Sequence, residues 1–184
     1  TVVAALASHH GRHVAGARRV ARNQHAVDLL LDELLDRAER LAERLVALSF
    51  ADRVFFCNSG AEANEGAFKL ARRWGRAQGG AAKHEILALR GGFHGRLFGT
   101  LAATDRPQYR APFRPLAGGI SIAERDLDEL DGALNPETVT AVIAEPVQGE
   151  GGVRVLDAKF LQDLRALTRE RGVLLILDEI QCGY

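Results

Sequence analysis

From residue 53 onward the chain alternates between short apolar runs and stretches with helical periodicity. Val54-Phe55-Phe56-Cys57 is the first apolar run. Asn58-Ser59-Gly60 follows it, and Ala61 to Gln78 then reads as a helix closed by Gly79-Gly80. Glu85–Leu89 predicts a strand running into the glycine-rich Arg90–Arg96, and the proline-containing stretch from Arg106 to Pro115 reads as loop. Asp126–Leu134 predicts a short helix, and Val139–Ala144 a strand ending at Glu145-Pro146. Asp157–Arg171 predicts a helix with Phe160, Leu161, Leu164 and Leu167 on one face. Val173–Leu177 is a wholly apolar strand that stops at Asp178-Glu179. Strands that are apolar throughout and separated by helices predict an α/β fold, a mostly parallel sheet flanked by helices on both faces.

Upstream, Leu31, Leu34, Ala38, Leu41, Leu45 and Leu48 recur at three- and four-residue steps with Arg and Glu between them. That spacing predicts an amphipathic helix over 28–48, lying on a domain core or at a subunit contact. The seam is too short for a coiled coil. Residues 8–25 hold His9, His10, His13 and His25 among several arginines, without apolar periodicity. No cysteine or acid sits at ligand spacing, so this stretch reads as a solvated basic segment and not as a metal site. The expected division is an N-terminal helical or irregular segment, 1–49, and a partial large domain, 50–184.

Charge and composition narrow the function classes. The 184 residues carry 24 basic and 24 acidic side chains, a formal net charge of zero. That balance argues against a nucleic-acid or membrane-surface module driven by bulk charge. A hydrophobic fraction of 47% with 26% charged residues belongs to a globular chain and excludes intrinsic disorder. No apolar run reaches the length of a membrane span. Cys57 and Cys182 cannot build a disulfide scaffold and no basic-then-apolar leader opens the chain, so a cytoplasmic setting is expected. The chain has no methionine and stops just past its most apolar strand, which predicts an incomplete chain, since the sheet edge would be left uncovered.

In an open parallel sheet, ligands bind beyond the carboxyl ends of the strands, and three segments put candidate chemistry there. Asn58–Glu65 is a strand-to-helix junction. Gly60 permits close backbone approach, and the helix start offers unpaired N–H groups to a phosphate. Ser59 and Glu62 equally fit a capping box that needs no ligand. In Gly91-Gly92-Phe93-His94-Gly95-Arg96, an aromatic ring among glycines can lie on a planar heterocycle, and Arg96 can grip a carboxylate with two parallel hydrogen bonds. The same segment can be a mobile turn with an exposed arginine. Asp178 follows five apolar residues, so a buried carboxylate there needs a partner, either an arginine or a protonated ring nitrogen, unless the strand end is exposed. Gln181 follows within about one turn. A phosphate cradle, a ring clamp and an acid for a heterocyclic nitrogen together suit pyridoxal phosphate.

The strings FCNSGAEANEGAFKLAR, GGFHGR, LAATDRPQYRAPFRPL, IAEPVQGEGG and LILDEIQCG, in that order, resemble the class III pyridoxal-phosphate aminotransferases, and within them the acetylornithine branch. The resemblance runs from about residue 38 to 184. It implies part of the large domain of the type I fold of these enzymes, working as a homodimer on small-molecule amino-acid and 2-oxo-acid substrates. The implied reaction is transamination between acetylornithine and 2-oxoglutarate in arginine biosynthesis. It further implies that Ser59, Gly60 and Ala61 hold the cofactor phosphate, that Phe93 and Ile180 flank the ring, and that Asp178 pairs with the pyridine nitrogen. Gln181 would approach the ring hydroxyl, and Arg96 would hold a substrate carboxylate. Glu145 would lie near Asp178, and Glu150 matches a glutamate that pairs with an arginine in ornithine-type relatives. The family's Schiff-base lysine lies downstream of the DEIQ segment, so no catalytic residue of that kind is expected here; Lys69, Lys83 and Lys159 are the only lysines. The rival readings are another class III substrate (ornithine, succinylornithine or 4-aminobutyrate) and a non-catalytic domain binding a phosphorylated ligand or a partner.

Overall fold

The computed structural model describes residues 2–3 and 24–183, with side-chain environments from residue 31 onward. His9, His10 and His13 lie outside the described residues, as does the side chain of His25. The chain falls into two compact units, one ending at Phe55 and the other running from Phe56 onward together with Val2–Val3. The first holds the helix α1 (Gln24–Leu48), whose predicted seam residues Leu31, Leu34, Leu41 and Leu48 are exposed. Among the described residues no helix is long and apolar enough to cross a membrane.

At the boundary, β1 (Val2–Val3) and β2 (Phe55–Phe56) make a two-stranded pair, and the second unit continues with α2 (Gly60–Gly79). Next come β3 (Glu85–Leu89), α3 (Phe98–Ala103), α4 (Pro107–Arg110), β4 (Ile120–Ala123) and α5 (Leu127–Ala133). The chain continues through β5 (Val139–Ala144), a small antiparallel hairpin of β6 (Val147–Gln148) and β7 (Arg154–Val155), α6 (Ala158–Glu170) and β8 (Leu174–Leu177). The main sheet has the order β4-β3-β5-β8, with every neighbouring pair parallel.

The two-residue side-chain period of each strand splits the core into two layers. Ile86 and Ala88 of β3, with Ala141 and Ile143 of β5, face Phe68 and Ala71 of α2 and Ala103 of α3. Leu87, Leu89, Val142 and Ala144 point the other way, onto Leu130 of α5 and Leu164 of α6. All six residues of β5 are buried, which is why all of them but Thr140 are apolar, and Thr140 donates to the Ala71 carbonyl. Polar side chains start three of the helices. Ser59 accepts from the Glu62 N–H, Asp126 from those of Asp128 and Glu129, and Asp157 from those of Lys159 and Phe160.

The expected loop over 106–115 is corrected: it holds α4 and a 3₁₀ turn at Ala111–Phe113. Two of the three prolines that argued for loop, Pro107 and Pro112, sit in the first turn of each piece, where a missing N–H costs nothing, and Pro115 follows both. Because β4 lies beside β3 on one flank and β8 beside β5 on the other, the crossovers diverge between β3 and β5. A crevice forms at such a point, outside the carboxyl ends of the strands.

Candidate active site

Four chain segments meet at that crevice: the start of α2, the loop after β3, Glu145 after β5 and Asp178 after β8. They line a cavity of about 620 Å³. Ser59, Gly60, Ala61, Phe93, Arg96, Glu145, Asp178, Ile180 and Gln181 all contribute to its wall. Glu150 does not: it is exposed on the turn between β6 and β7.

The loop that carries Phe93 is tied down at successive backbone N–H groups. Gly91 donates to Asp105 Oδ2 (2.9 Å), Gly92 to the Leu89 carbonyl (3.1 Å), Phe93 to Glu145 Oε2 (2.8 Å) and His94 to Thr104 Oγ1 (2.9 Å). Thr104 in turn donates to the carbonyls of Gly95 and Thr100. At Gly91 (φ 82°) and Gly95 (φ 125°) the backbone adopts conformations that side chains resist. At Gly95 a Cβ would also sit 2.7 Å from that of Ala61. The loop is therefore a built structure, in contrast to the mobile turn that its glycines also allowed. The Phe93 ring is met edge-on by Tyr109, with centroids 6.2 Å apart. Gln148, fully buried, donates to the Arg90 carbonyl and braces the loop from the hairpin side. Arg96 stands exposed at the cavity rim.

Asp178 is 6% exposed, so the exposed strand end does not occur. Among the described residues its partners are an amide, an imidazole and a backbone N–H, with no arginine. Asn64 Nδ2 donates to Oδ2 at 2.8 Å, His94 Nδ1 lies 2.8 Å from the same oxygen, and the Ile180 N–H reaches Oδ1 at 3.2 Å. An ionised carboxylate only accepts, so the His94 hydrogen belongs on Nδ1. His94 Nε2 is buried with no partner among the described residues. Glu145, also buried, has its carboxyl pushed above the usual range, chiefly by desolvation; the Phe93 N–H and then His94 pull the other way, and the Asp178 charge adds to the rise. Asn64 and His94 were not among the sequence-predicted site residues. The available signal for Asn64 was its place four residues after Gly60, on the same face of α2.

Both readings of the α2 start have a physical basis here. Ser59 Oγ accepts from the Glu62 N–H and donates to Glu62 Oε2, and Asn58 Nδ2 donates to Glu62 Oε1. The Ser59 hydroxyl, and secondarily the Asn58 amide, hold the Glu62 carboxyl below its ordinary pKa, so its negative charge stands over the same N–H groups an anion would use. Glu62→Gln is therefore expected to tighten inorganic phosphate binding by about two- to fivefold, the scale of one charge at a helix end. Titration of both proteins checks this, and an unchanged affinity would mean that the glutamate swings clear. Gly60 is packed closely: a Cβ there would come 2.8 Å from two carbons of Ile180. Gln181 faces the hairpin, with its Oε1 2.3 Å from the Cβ position at Gly149.

Comparison with known proteins places this geometry. The profile "Aminotransferase class-III" matches residues 19–184. The chain is 48% identical over 147 residues to an acetylornithine aminotransferase of Xylella fastidiosa (strain Temecula1), covering 78% of this chain and 36% of that protein. It is 49% identical over 144 residues to one of Gloeobacter violaceus, with the same coverage. The chain thus spans about a third of the length of these curated relatives. Among solved structures, ornithine aminotransferase from Toxoplasma gondii, with partial occupancy of pyridoxal phosphate, superposes with a TM-score of 0.72 at 32% identity, covering 77% of this chain and 34% of that one. A PLP-bound amine transaminase from an uncultivated Pseudomonas species gives 0.73 at 33% identity, covering 80% and 39%. Sequence and fold agree: the chain belongs to the class III aminotransferase family, for which these solved relatives and the profile together indicate pyridoxal phosphate as the cofactor.

Proposed function

We propose that this chain supplies the cofactor-holding part of an enzyme that transfers an amino group between N2-acetylornithine and 2-oxoglutarate in arginine biosynthesis, as a cytoplasmic homodimer. The observation that carries the reading is a buried acid, Asp178, held at the cavity floor by Asn64 and His94, directly across from a glycine-started helix. The relatives' names support the acetylornithine substrate. The exposed leucine seam of α1 supports a subunit contact.

The residues present fit the cofactor. Among the described residues Asp178 Oδ1 accepts only the Ile180 N–H, which leaves it a site for a ring N–H. Gly60 adds no side chain of its own over the first N–H groups of α2, and Ile180 packs closely against it. Ser59, Gly60 and Ala61 would take the phosphate, Phe93 and Ile180 the two ring faces, and Gln181 the ring hydroxyl. When bound, the cofactor supplies an electron sink for carbanion chemistry at the substrate carbon. Asp178 would keep the ring nitrogen protonated, which that sink requires. Arg96, exposed at the rim, would orient a substrate α-carboxylate by a two-point contact. Glu150, outside the cavity, would meet an arginine from elsewhere in the enzyme.

None of the three lysines reaches the cavity. Lys69 is exposed on α2, Lys83 donates to the carbonyls of Pro136 and Gly172, and Lys159 pairs with Asp163. The 184-residue chain is therefore expected to bind pyridoxamine phosphate but not to turn over acetylornithine. Fluorescence titration and a transaminase assay check the two halves. Binding without turnover, together with a complete enzyme that prefers acetylornithine to ornithine, succinylornithine and 4-aminobutyrate by about tenfold, supports the reading. Absence of any saturable binding would sink it, and a complete protein that binds but never transaminates would favour the phosphate-ligand module.

A further inference from the structure

We propose that Asn64 is a positioning residue for the cofactor ring nitrogen: it locks the rotation of the Asp178 carboxylate so that Oδ1 is the oxygen presented to the ring N–H. This rests on the cofactor reading given above. Asn64 is 3% exposed and lines the cavity from the first turns of α2. Both hydrogens of its Nδ2 are used, one on Asp178 Oδ2 (2.8 Å) and one on the His94 carbonyl (2.9 Å). The amide orientation is unambiguous, because the flipped form would set its oxygen against two acceptors.

Oδ2 thus receives Asn64 and His94 Nδ1 together, which fills the two acceptor positions of one carboxylate oxygen. Among the described residues Oδ1 holds only the longer bond from the Ile180 N–H. A carboxylate free to rotate would share its donors between both oxygens, and the ring N–H would compete with them. Asn64 removes that competition. It also does something His94 cannot, because its second hydrogen ties the loop carbonyl one residue after Phe93. The acid for the ring nitrogen and the aromatic for the ring face are thereby fixed to one helix, and their mutual geometry is set by one side chain.

The test uses pyridoxamine phosphate labelled with ¹⁵N in the ring, which needs no lysine to bind. In the wild-type protein the bound ring nitrogen should stay protonated well above the pH at which the free ring titrates. In Asn64→Leu, similar in volume but without donors, the midpoint of that titration should fall by about one pH unit or more, as an acid that no longer faces the ring gives up its stabilisation. A merely structural role for Asn64 would change folding stability and leave this midpoint alone, and that result would overturn the proposal. Should Asn64→Leu fail to fold, the wild-type protein still decides. Its Asn64 side-chain amide signals should exchange slowly and move when the bound ring nitrogen loses its proton, and signals that stay fixed would overturn the inference. No binding of pyridoxamine phosphate to the wild type would remove the cofactor reading and this inference together. Binding with a ring titration indifferent to Asn64 would remove this inference alone.

Discussion

Asp178→Ala is expected to lower folding stability by about 3 kcal/mol, because two buried donors, Asn64 Nδ2 and His94 Nδ1, lose their shared acceptor at about 1–3 kcal/mol each. The gain from no longer burying a carboxylate offsets part of that loss. Affinity for pyridoxamine phosphate should fall by about 10- to 100-fold, the worth of one hydrogen bond between charged partners. Asp178→Asn separates the two effects. It keeps the shape and one acceptor oxygen, so stability should drop less, by about 1–2 kcal/mol. Its amide cannot favour a charged ring nitrogen, so binding should suffer nearly as much as in the alanine variant. Denaturant unfolding gives the first quantity and fluorescence titration the second. An alanine variant that unfolds and binds like the wild type would show that the buried acid does not organise this site.

That acid was legible in the sequence because a charged residue straight after five apolar ones has nowhere neutral to go. Its partners were not legible. Asn64 is 114 positions away and His94 84, and nothing local to either residue announces the pairing. The central strands β3 and β5 appear over the predicted residues, since burial on both faces makes all of them apolar but Glu85 and Thr140. By contrast, β4 is an edge strand of four residues with a serine inside it, and its pattern is too short to stand out. The six-residue α3 has no side-chain cap of its own. Its Thr100 N–H is taken instead by Glu65, a residue of α2, so the reason this helix forms lies in tertiary contact.

The same contrast explains the site loop. Its glycines announced a turn, but the groups that hold the turn, Glu145, Thr104, Asp105 and Gln148, come from three later segments. A glycine pattern reports where backbone can bend. Whether the bend is rigid depends on acceptors that only the folded chain brings within reach, and here the N–H groups of Gly91, Phe93 and His94 each have one, while that of Gly92 closes a local turn onto Leu89. A rigid loop is what ring stacking requires, because a ring clamp that must order on binding would lose part of its affinity to that ordering.

The seating of α2 on the sheet gives the second large expected effect. At Gly75 a Cβ would lie 2.4 Å from both the Lys83 carbonyl oxygen and Thr140 Oγ1. Neither can yield easily. Thr140 donates to the Ala71 carbonyl, and Lys83 is anchored by its bonds to Pro136 and Gly172. Gly75→Val must therefore lift α2 off β5, and it should lose about 3 kcal/mol, since overpacking against rigid neighbours far exceeds the few tenths of a kcal/mol that valine gains over glycine in a helix. Gly132 in α5 is the control, with nothing within 4 Å of its Cβ position. There Gly132→Ala should raise stability by up to about 1 kcal/mol through helix propensity alone. Because α2 also carries Gly60 and Asn64, the lift at Gly75 should weaken pyridoxamine phosphate binding, whereas Gly132→Ala leaves it unchanged. If both variants unfold at the wild-type denaturant midpoint, close contact between this helix and the sheet is not what sets the geometry of the cavity.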